Sequence, residues 1–161
     1  MPGLRSARIS DRAALYAFLA RLSPGTVQAR YMSAWRSVAG PAADEETRRL
    51  LQRDESRHVV LVALDGAEIR GVGEFVVDDD SGAAELAVVV EDAFQRRGIG
   101  SLLLRALEQL ARERGINAFT GDVRYGNRRV ERLLHATGWP LHVQPGFGGV
   151  RFSLRLEPCG N

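Results

Sequence analysis

The stretch that most restricts the fold runs from Ala84 to Ser101: Ala-Glu-Leu-Ala-Val-Val-Val-Glu-Asp-Ala-Phe-Gln-Arg-Arg-Gly-Ile-Gly-Ser. Leu86 to Val90 is a continuous apolar run rich in β-branched residues, too short for a lone helix and suited to a buried strand. Glu91 and Asp92 end it. After two arginines and two glycines, Ile99, Leu102, Leu103, Ala106, Leu107 and Leu110 recur at helical spacing. A strand therefore ends, a glycine loop turns, and an amphipathic helix starts at once. This geometry aims unpaired backbone N–H groups and the positive end of the helix dipole at one point. An anion belongs there, most naturally a phosphate or pyrophosphate. A side chain at Gly98 or Gly100 would hold the anion's oxygens away from the backbone.

A lone Gly-x-Gly signals no more than a turn. Gln95-Arg96-Arg97-Gly98-Ile99-Gly100 is more specific, because a strand precedes it and a helix follows it. A Rossmann fingerprint is excluded, since the third glycine is missing and position 103 is Leu103. A P-loop is excluded as well: no Gly-Lys-Ser/Thr follows, and the chain contains no lysine. The hexapeptide, with its Val-rich strand and Leu-rich helix, resembles the acetyl-CoA loop of the GNAT N-acetyltransferase superfamily. That loop has the form Gln/Arg-x-x-Gly-x-Gly/Ala, and the match is complete.

With 161 residues, 45% of them hydrophobic and 26% charged, the chain reads as one soluble globular domain over residues 1–161. No apolar stretch of about 20 residues is present for a membrane span, and Met1 to Arg8 lacks the apolar core of a secretory signal. The single cysteine, Cys159, has no internal disulfide partner, and the chain reads as cytoplasmic. Net charge is +2, every basic residue apart from the histidines is arginine, and acids are interspersed among them. No nucleic-acid-binding stripe stands out.

Along the chain, Ser10 or Asp11 is placed to cap a first helix carrying Leu15, Phe18, Leu19 and Leu22. Ser23-Pro24 closes that helix and opens a second, less regular one with Val27, Tyr31, Met32 and Trp35. Gly40-Pro41 breaks the chain, and Asp44 begins a third helix, acidic first and arginine-rich later. Val59–Leu64, Ile69–Val77 and the run from Glu85 read as three antiparallel strands joined at Asp65-Gly66 and at Asp78–Gly82. The helix from Ile99 ends near Gly115, Ala118–Val123 is a strand, and Asn127 caps a helix that Gly138 stops. Val150–Leu156 is a last strand, and Leu141 to Gly149 reads as a loop. The order implies an α/β fold with a mixed, mostly antiparallel central sheet flanked by helices, and it agrees with the GNAT order from end to end.

The resemblance is strongest over Ala84–Ser101 and Gly121–Trp139, and looser over Phe18–Tyr31. Within the superfamily, Ala-Glu-Leu-Ala-Val-Val-Val is most similar to the catalytic domain of bacterial protein lysine acetyltransferases that modify acyl-CoA synthetases. Such a domain often sits beside a regulatory or ligase-like one, so this chain can be an excised catalytic domain. The resemblance implies an acetyl-CoA-dependent N-acetyltransferase acting by direct transfer on a protein lysine, with an AMP-forming acyl-CoA synthetase as the partner. It assigns the pantetheine arm to the backbone of Val88, Val89 and Val90, and the pyrophosphate to Arg96, Arg97, Gly98, Ile99, Gly100 and Ser101. Asn127 matches the family's asparagine near the pantetheine and is also a plain helix cap. Strand-like pairing with the pantetheine needs a free sheet edge, so the strands of Val88 and Phe119 should splay apart.

A lysine acceptor has a solution pKa near 10.4 and must lose a proton before it attacks the thioester; a nearby carboxylate can take it. Glu85 is the first choice of base, because its Ala-Glu-x-Ala-Val pattern supplies the proposed base in the protein acetyltransferases the chain resembles. Read on its own it is a solvated strand-end glutamate or a cross-strand ion-pair partner. Glu74, mid-strand on the neighbouring strand, is the second choice. If both carboxylates face the cleft, mutual repulsion should raise one pKa. A backbone N–H near Val88 is the candidate oxyanion donor. Many GNAT enzymes carry a tyrosine seven residues after the asparagine; Leu134 stands there, beside His135, which leaves the general acid open between Tyr125, His135 and solvent. Arg30, Tyr31 and Trp35 fall where the resemblance places the acceptor side, and the two aromatics read first as core residues. His58 and His142 lack metal-ligand spacing, and no metal site is assigned. Two rivals remain: an acetyltransferase for a small amine (amino sugar, polyamine or amino acid), which a strongly acidic cleft would favour, and a CoA-binding sensor without chemistry. The acyl-chain range and oligomeric state stay open.

Overall fold

The computed structural model describes residues 2–31 and 38–156. Trp35 and Met32, assigned to the second helix, and Cys159 lie outside the described residues. Among those described, the elements run β1 (Gly3–Ser6), α1 (Arg12–Arg21), α2 (Pro24–Tyr31), α3 (Pro41–Leu51), β2 (His58–Asp65), β3 (Glu68–Val77), β4 (Ala83–Val90), α4 (Ile99–Glu113), β5 (Ala118–Arg124), α5 (Arg128–His135), β6 (Leu141–Gly146) and β7 (Gly149–Arg155). The strands form one seven-stranded sheet in the order β1-β2-β3-β4-β5-β7-β6. Every neighbouring pair is antiparallel except β4–β5, which is parallel because α4 carries the chain across between them. The α/β class and the mixed, mostly antiparallel sheet expected from the sequence are observed.

Strand alternation divides the apolar residues between two cores. On β3 and β4, Phe75, Ala84 and Leu86 face α4 and α5 and pack with Leu103, Leu104, Leu107 and Leu134. Val72 and Val89 face the other way, toward Leu15, Phe18, Leu19, Val27 and Leu50 of α1, α2 and α3. The period-2 alternation of β3 is what lets one strand serve both layers. At Gly73 the α4 helix comes very close: a Cβ there would lie 2.9 Å from Leu107 Cδ1 and 3.3 Å from Leu103 Cβ. That glycine lets α4 lie low on the sheet, which fixes where its N-terminus stands.

Several local expectations change. Asp11 is buried and does not cap α1 with its side chain. Its carboxylate accepts instead from the Arg8 backbone N–H (2.7 Å) and from Arg5 (2.8 Å to each oxygen). The third helix starts at Pro41, three residues before Asp44, with proline in its first turn where a missing N–H costs nothing. Two strands escaped the sequence reading. β1 is four residues long, and β6 lies within the expected loop Leu141 to Gly149, carries Pro145 and is largely exposed.

Candidate active site

The β4–β5 ladder is short. It pairs Ala83 with Ala118, Ala84 with Phe119 and Glu85 with Thr120, and there it stops, although β4 continues to Val90 and β5 to Arg124. β5 instead keeps β7 as its partner along its whole length. Beyond Glu85 the β5-facing edge of β4 therefore has no strand partner, as strand-like pairing with a ligand requires, although the Val90 carbonyl accepts from a side chain. The gap opens into a cavity of about 850 Å³ that crosses the sheet, with α2 on one side and the starts of α4 and α5 on the other. Its size suits a cofactor-bearing site.

At the top of the fork the loop turns through two left-handed residues, Arg96 (φ 64°) and Gly98 (φ 84°). A non-glycine residue in that region costs roughly 1 kcal/mol, a strain typical of ligand-gripping loops. Gly98 is the N-cap of α4 and no side chain caps the helix, so the N–H groups of Ile99, Gly100 and Ser101 have no intrahelical acceptor. All four of these residues line the cavity. A Cβ at Gly100 would meet Leu133 of α5 at 3.7 Å, an ordinary contact, so α5 lies beside this helix start. The side chains of the two loop arginines diverge: Arg96 lines the cavity, while Arg97 stacks on the Phe94 ring at 4.8 Å and does not.

Gln95 ties the three walls together. Its Nε2 donates to the Val90 carbonyl (2.9 Å) and to Thr26 Oγ1 of α2 (3.3 Å), and its Oε1 accepts from Arg129 of α5. Asp92 fastens the same corner, accepting from Ser23 N–H (3.0 Å), Ser23 Oγ (2.6 Å) and Thr26 Oγ1 (2.9 Å). Ser23 in turn accepts from the Thr26 N–H as N-cap of α2. The sequence reading gave Thr26 and Asp92 no part in the site; the Ser-Pro-Gly-Thr cap signal was the only hint. Asn127 lines the cavity, and its Oδ1 accepts from the Val130 N–H (3.4 Å) to cap α5, as its place before the helix predicts.

The two candidate bases share a face. Glu74 lies opposite Ala87 and Val76 opposite Glu85, so the glutamates are diagonal neighbours on the side of α1 to α3. Their environments differ sharply. Glu74 is buried, with Arg49 at 2.6 and 3.1 Å, His58 Nε2 at 2.5 Å, and Arg30 also in contact. Burial alone would raise its pKa, but the bonds from His58 and Arg49 and the charge of Arg30 outweigh it and hold the carboxyl well below the usual range. Repulsion between the glutamates does not raise the Glu74 pKa, because two guanidiniums neutralise that carboxylate first. Glu85 is exposed, makes no ion pair among the described residues, and stands where the ladder ends, three residues before Val88. It does not line the cavity.

The other acceptor-side residues sort in the same way. Arg30 lines the cavity and reaches back to Glu74. Tyr31 donates its hydroxyl to Glu46 (3.0 Å), and burial together with that carboxylate pushes its pKa up. Tyr125 is 67% exposed at the cavity mouth, whereas His135 is exposed and outside the lining.

The family model for the acetyltransferase (GNAT) family matches residues 26–139, which hold the fork, the loop and α5. The chain belongs to the GNAT family. It is an acetyltransferase, with acetyl-CoA as cosubstrate, and the free strand edge and unpaired loop N–H groups are the parts that such a cosubstrate needs. An acetyltransferase of Pseudomonas aeruginosa is 29% identical over 138 residues, 84% of this chain and 73% of that protein. The GNAT domain of PAT from S. lividans superposes with a TM-score of 0.85 at 24% identity, covering 96% of this chain and 90% of that one. The PaiA N-acetyltransferase of Thermoplasma acidophilum, solved with coenzyme A, gives a TM-score of 0.72 at 17% identity over 96% of this chain and 99% of the other. A cAMP-binding acyltransferase from Mycobacterium smegmatis is 26% identical with a TM-score of 0.62, over 96% of this chain but only 44% of that longer protein. No described helix is long and apolar enough to cross a membrane.

Proposed function

We propose that this GNAT domain, residues 1–161, transfers acetyl from acetyl-CoA to a protein lysine, with Glu85 as general base and an AMP-forming acyl-CoA synthetase as the acceptor, in the cytoplasm. The observation that carries the base assignment is the fork at Glu85: the carboxylate stands exposed, with no ion pair among the described residues, where β4 leaves β5. Glu74, on the same face, is held ionised by its cationic neighbours and is a poor proton acceptor. Along a strand, three residues span about 10 Å, so Glu85 takes the lysine proton through water. The backbone N–H groups near Val88 and the loop N–H groups hold and orient the cosubstrate, while Gln95 and Arg129 keep the walls in place.

The charge of the site supports a protein lysine over a polyamine. Among the described residues no carboxylate lines the cavity, and the Asp78–Gly82 turn lies at the opposite end of β4 from Val88–Val90. A free polycation would find no counter-charge, whereas a single lysine on a folded partner is delivered by the partner's surface. The similarity of Ala84–Ser101 to protein lysine acetyltransferases points the same way.

The test is transfer of labelled acetyl to a panel of acyl-CoA synthetases, each beside its lysine-to-alanine variant, with polyamines and amino sugars in parallel. Label on one synthetase lysine, lost with Glu85→Gln, supports acceptor and base together. Label only on small amines moves the chain to that class. Binding of acetyl-CoA with no label anywhere overturns the enzymatic assignment in favour of a sensor.

A further inference from the structure

One residue of the glycine loop is strained, and the aromatic ring just before it is gripped from two places. Arg96 adopts φ 64° although it is not glycine, a conformation that lasts only where the surroundings over-determine it. Phe94 ends the 3₁₀ turn Asp92–Phe94, two residues earlier. Two guanidiniums lie over its ring: Arg70 of β3, with Cζ 4.3 Å from the centroid, and Arg97, with Cζ 4.8 Å away. The Arg97 contact reaches back across Gln95 and Arg96, so it closes the chain on both sides of the strained residue. Gln95, inside that closure, is itself tied to the Val90 carbonyl, Thr26 and Arg129.

Arg70 fastens the ring to the sheet. Its side chain is 14% exposed; Nη1 donates to Glu91 at 2.9 Å and Nη2 pairs with Glu68. Buried Glu91 also accepts from Arg21 of α1 at 3.1 and 3.2 Å, and its backbone N–H donates to the Arg70 carbonyl at 2.9 Å. Held by two carboxylates, Arg70 cannot swing away from Phe94. A guanidinium over a ring is attracted by the ring quadrupole, more strongly where water is excluded. The contacts thus run from α1 through Glu91, Arg70 and Phe94 to Arg97, the residue before Gly98. Of these side chains only Phe94 lines the cavity.

We infer that Phe94 is a positioning residue: clamped by Arg70 and Arg97, it presets the loop so that its N–H groups are aimed before acetyl-CoA arrives. Arg97 then serves the cosubstrate through that ring and does not touch its phosphates. A loop that is competent only part of the time weakens binding by that fraction, so the clamp acts on affinity. The inference rests on acetyl-CoA as cosubstrate and is independent of the acceptor.

The experiment is a double-mutant cycle, with CoA binding read by calorimetry and folding by melting temperature. Its members are wild type, Phe94→Leu, Arg97→Ala and the pair, with Phe94→Tyr as the variant that keeps the ring. Arg97→Ala should weaken CoA binding about two- to fivefold, and Phe94→Leu, which loses both contacts, about fivefold or more. Phe94→Tyr should bind as wild type does. In the Phe94→Leu background, Arg97→Ala should cost nothing further. An equal loss from Arg97→Ala in both backgrounds overturns the inference, because the guanidinium then meets the phosphates itself. Wild-type affinity in Phe94→Leu, with only a lowered melting temperature, overturns it in favour of a purely structural ring. Arg97 is exposed, so Arg97→Lys carries the test if Phe94→Leu does not fold. Lysine keeps the charge and loses the planar stack; it should bind as weakly as Arg97→Ala, and full recovery overturns the clamp. Absence of CoA binding by wild type overturns the cosubstrate assignment itself.

Discussion

Replacing Glu74 by glutamine tests whether the second candidate carboxylate is a base or a structural hub. The change keeps volume and removes charge, setting an NH₂ group among donors from Arg49, His58 and Arg30. Removing one partner of a buried ion pair typically costs about 3–5 kcal/mol. Some of that is spared here, because Arg49 keeps Glu46 at 2.7 Å and its side chain is 41% exposed, whereas the Arg30 side chain is only 19% exposed. The net cost is therefore roughly 2–4 kcal/mol, and at about 2–4 °C per kcal/mol for a domain of this size the melting temperature should fall by about 5–15 °C at pH 7.

The pH dependence supplies an independent check. The folded pKa of Glu74 is depressed, so its contribution is present above the unfolded value near 4.3 and is lost as pH falls through the folded one. The gap between wild type and E74Q should be widest near neutrality and should shrink below about pH 4. Calorimetric melting from pH 3 to pH 8, beside steady-state transfer rates, measures both effects. A melting temperature within about 2 °C of wild type at pH 7, together with a collapsed kcat, would refute the structural role and return Glu74 to the chemistry.

Three further outcomes are expected. Glu85→Gln should lower kcat by about 100-fold or more at pH 7 with KM for acetyl-CoA and melting temperature unchanged; a shift in KM alone would show that the residue binds rather than takes a proton. Gly98→Ala forces a side chain into the left-handed region at φ 84°, so it should cost about 1 kcal/mol of stability and raise KM for acetyl-CoA, read by thermal melting and initial rates. Gly149→Ala would put a Cβ 2.0 Å from the Val123 carbonyl oxygen and 2.9 Å from Arg124 Cα. Backbone cannot yield there, so β7 must leave β5, and the variant should be more than about 3 kcal/mol less stable than wild type, read by denaturant unfolding, or fail to fold.

Much of this protein is legible locally, because the physics that forms its elements is local. The apolar run Leu86–Val90, the glycines and the leucine spacing of α4 each act over a few residues, and they gave β4, the loop and the helix start nearly where they stand. Asn127 capping α5 was legible for the same reason. The elements that were missed lack such signals. β6 has no buried alternating face, contains Pro145, and exists because β7 offers it an edge; β1 is four residues long and owes its form to β2.

The fate of the two glutamates shows where the local signals end. Sequence put both on adjacent strands, but their difference depends on partners far along the chain: Arg30 and Arg49 come from α2 and α3 and His58 from the start of β2. Nothing in Gly-Val-Gly-Glu-Phe-Val-Val marks that carboxylate as neutralised. The arginines pose the same problem in reverse. Read along the chain they are evenly mixed with acids, and only the fold shows which of them pair with a carboxylate, as Arg30 and Arg49 do with Glu74. For a lysine-free chain with a net charge of only +2, pairing therefore decides which charges stay uncompensated, and composition does not.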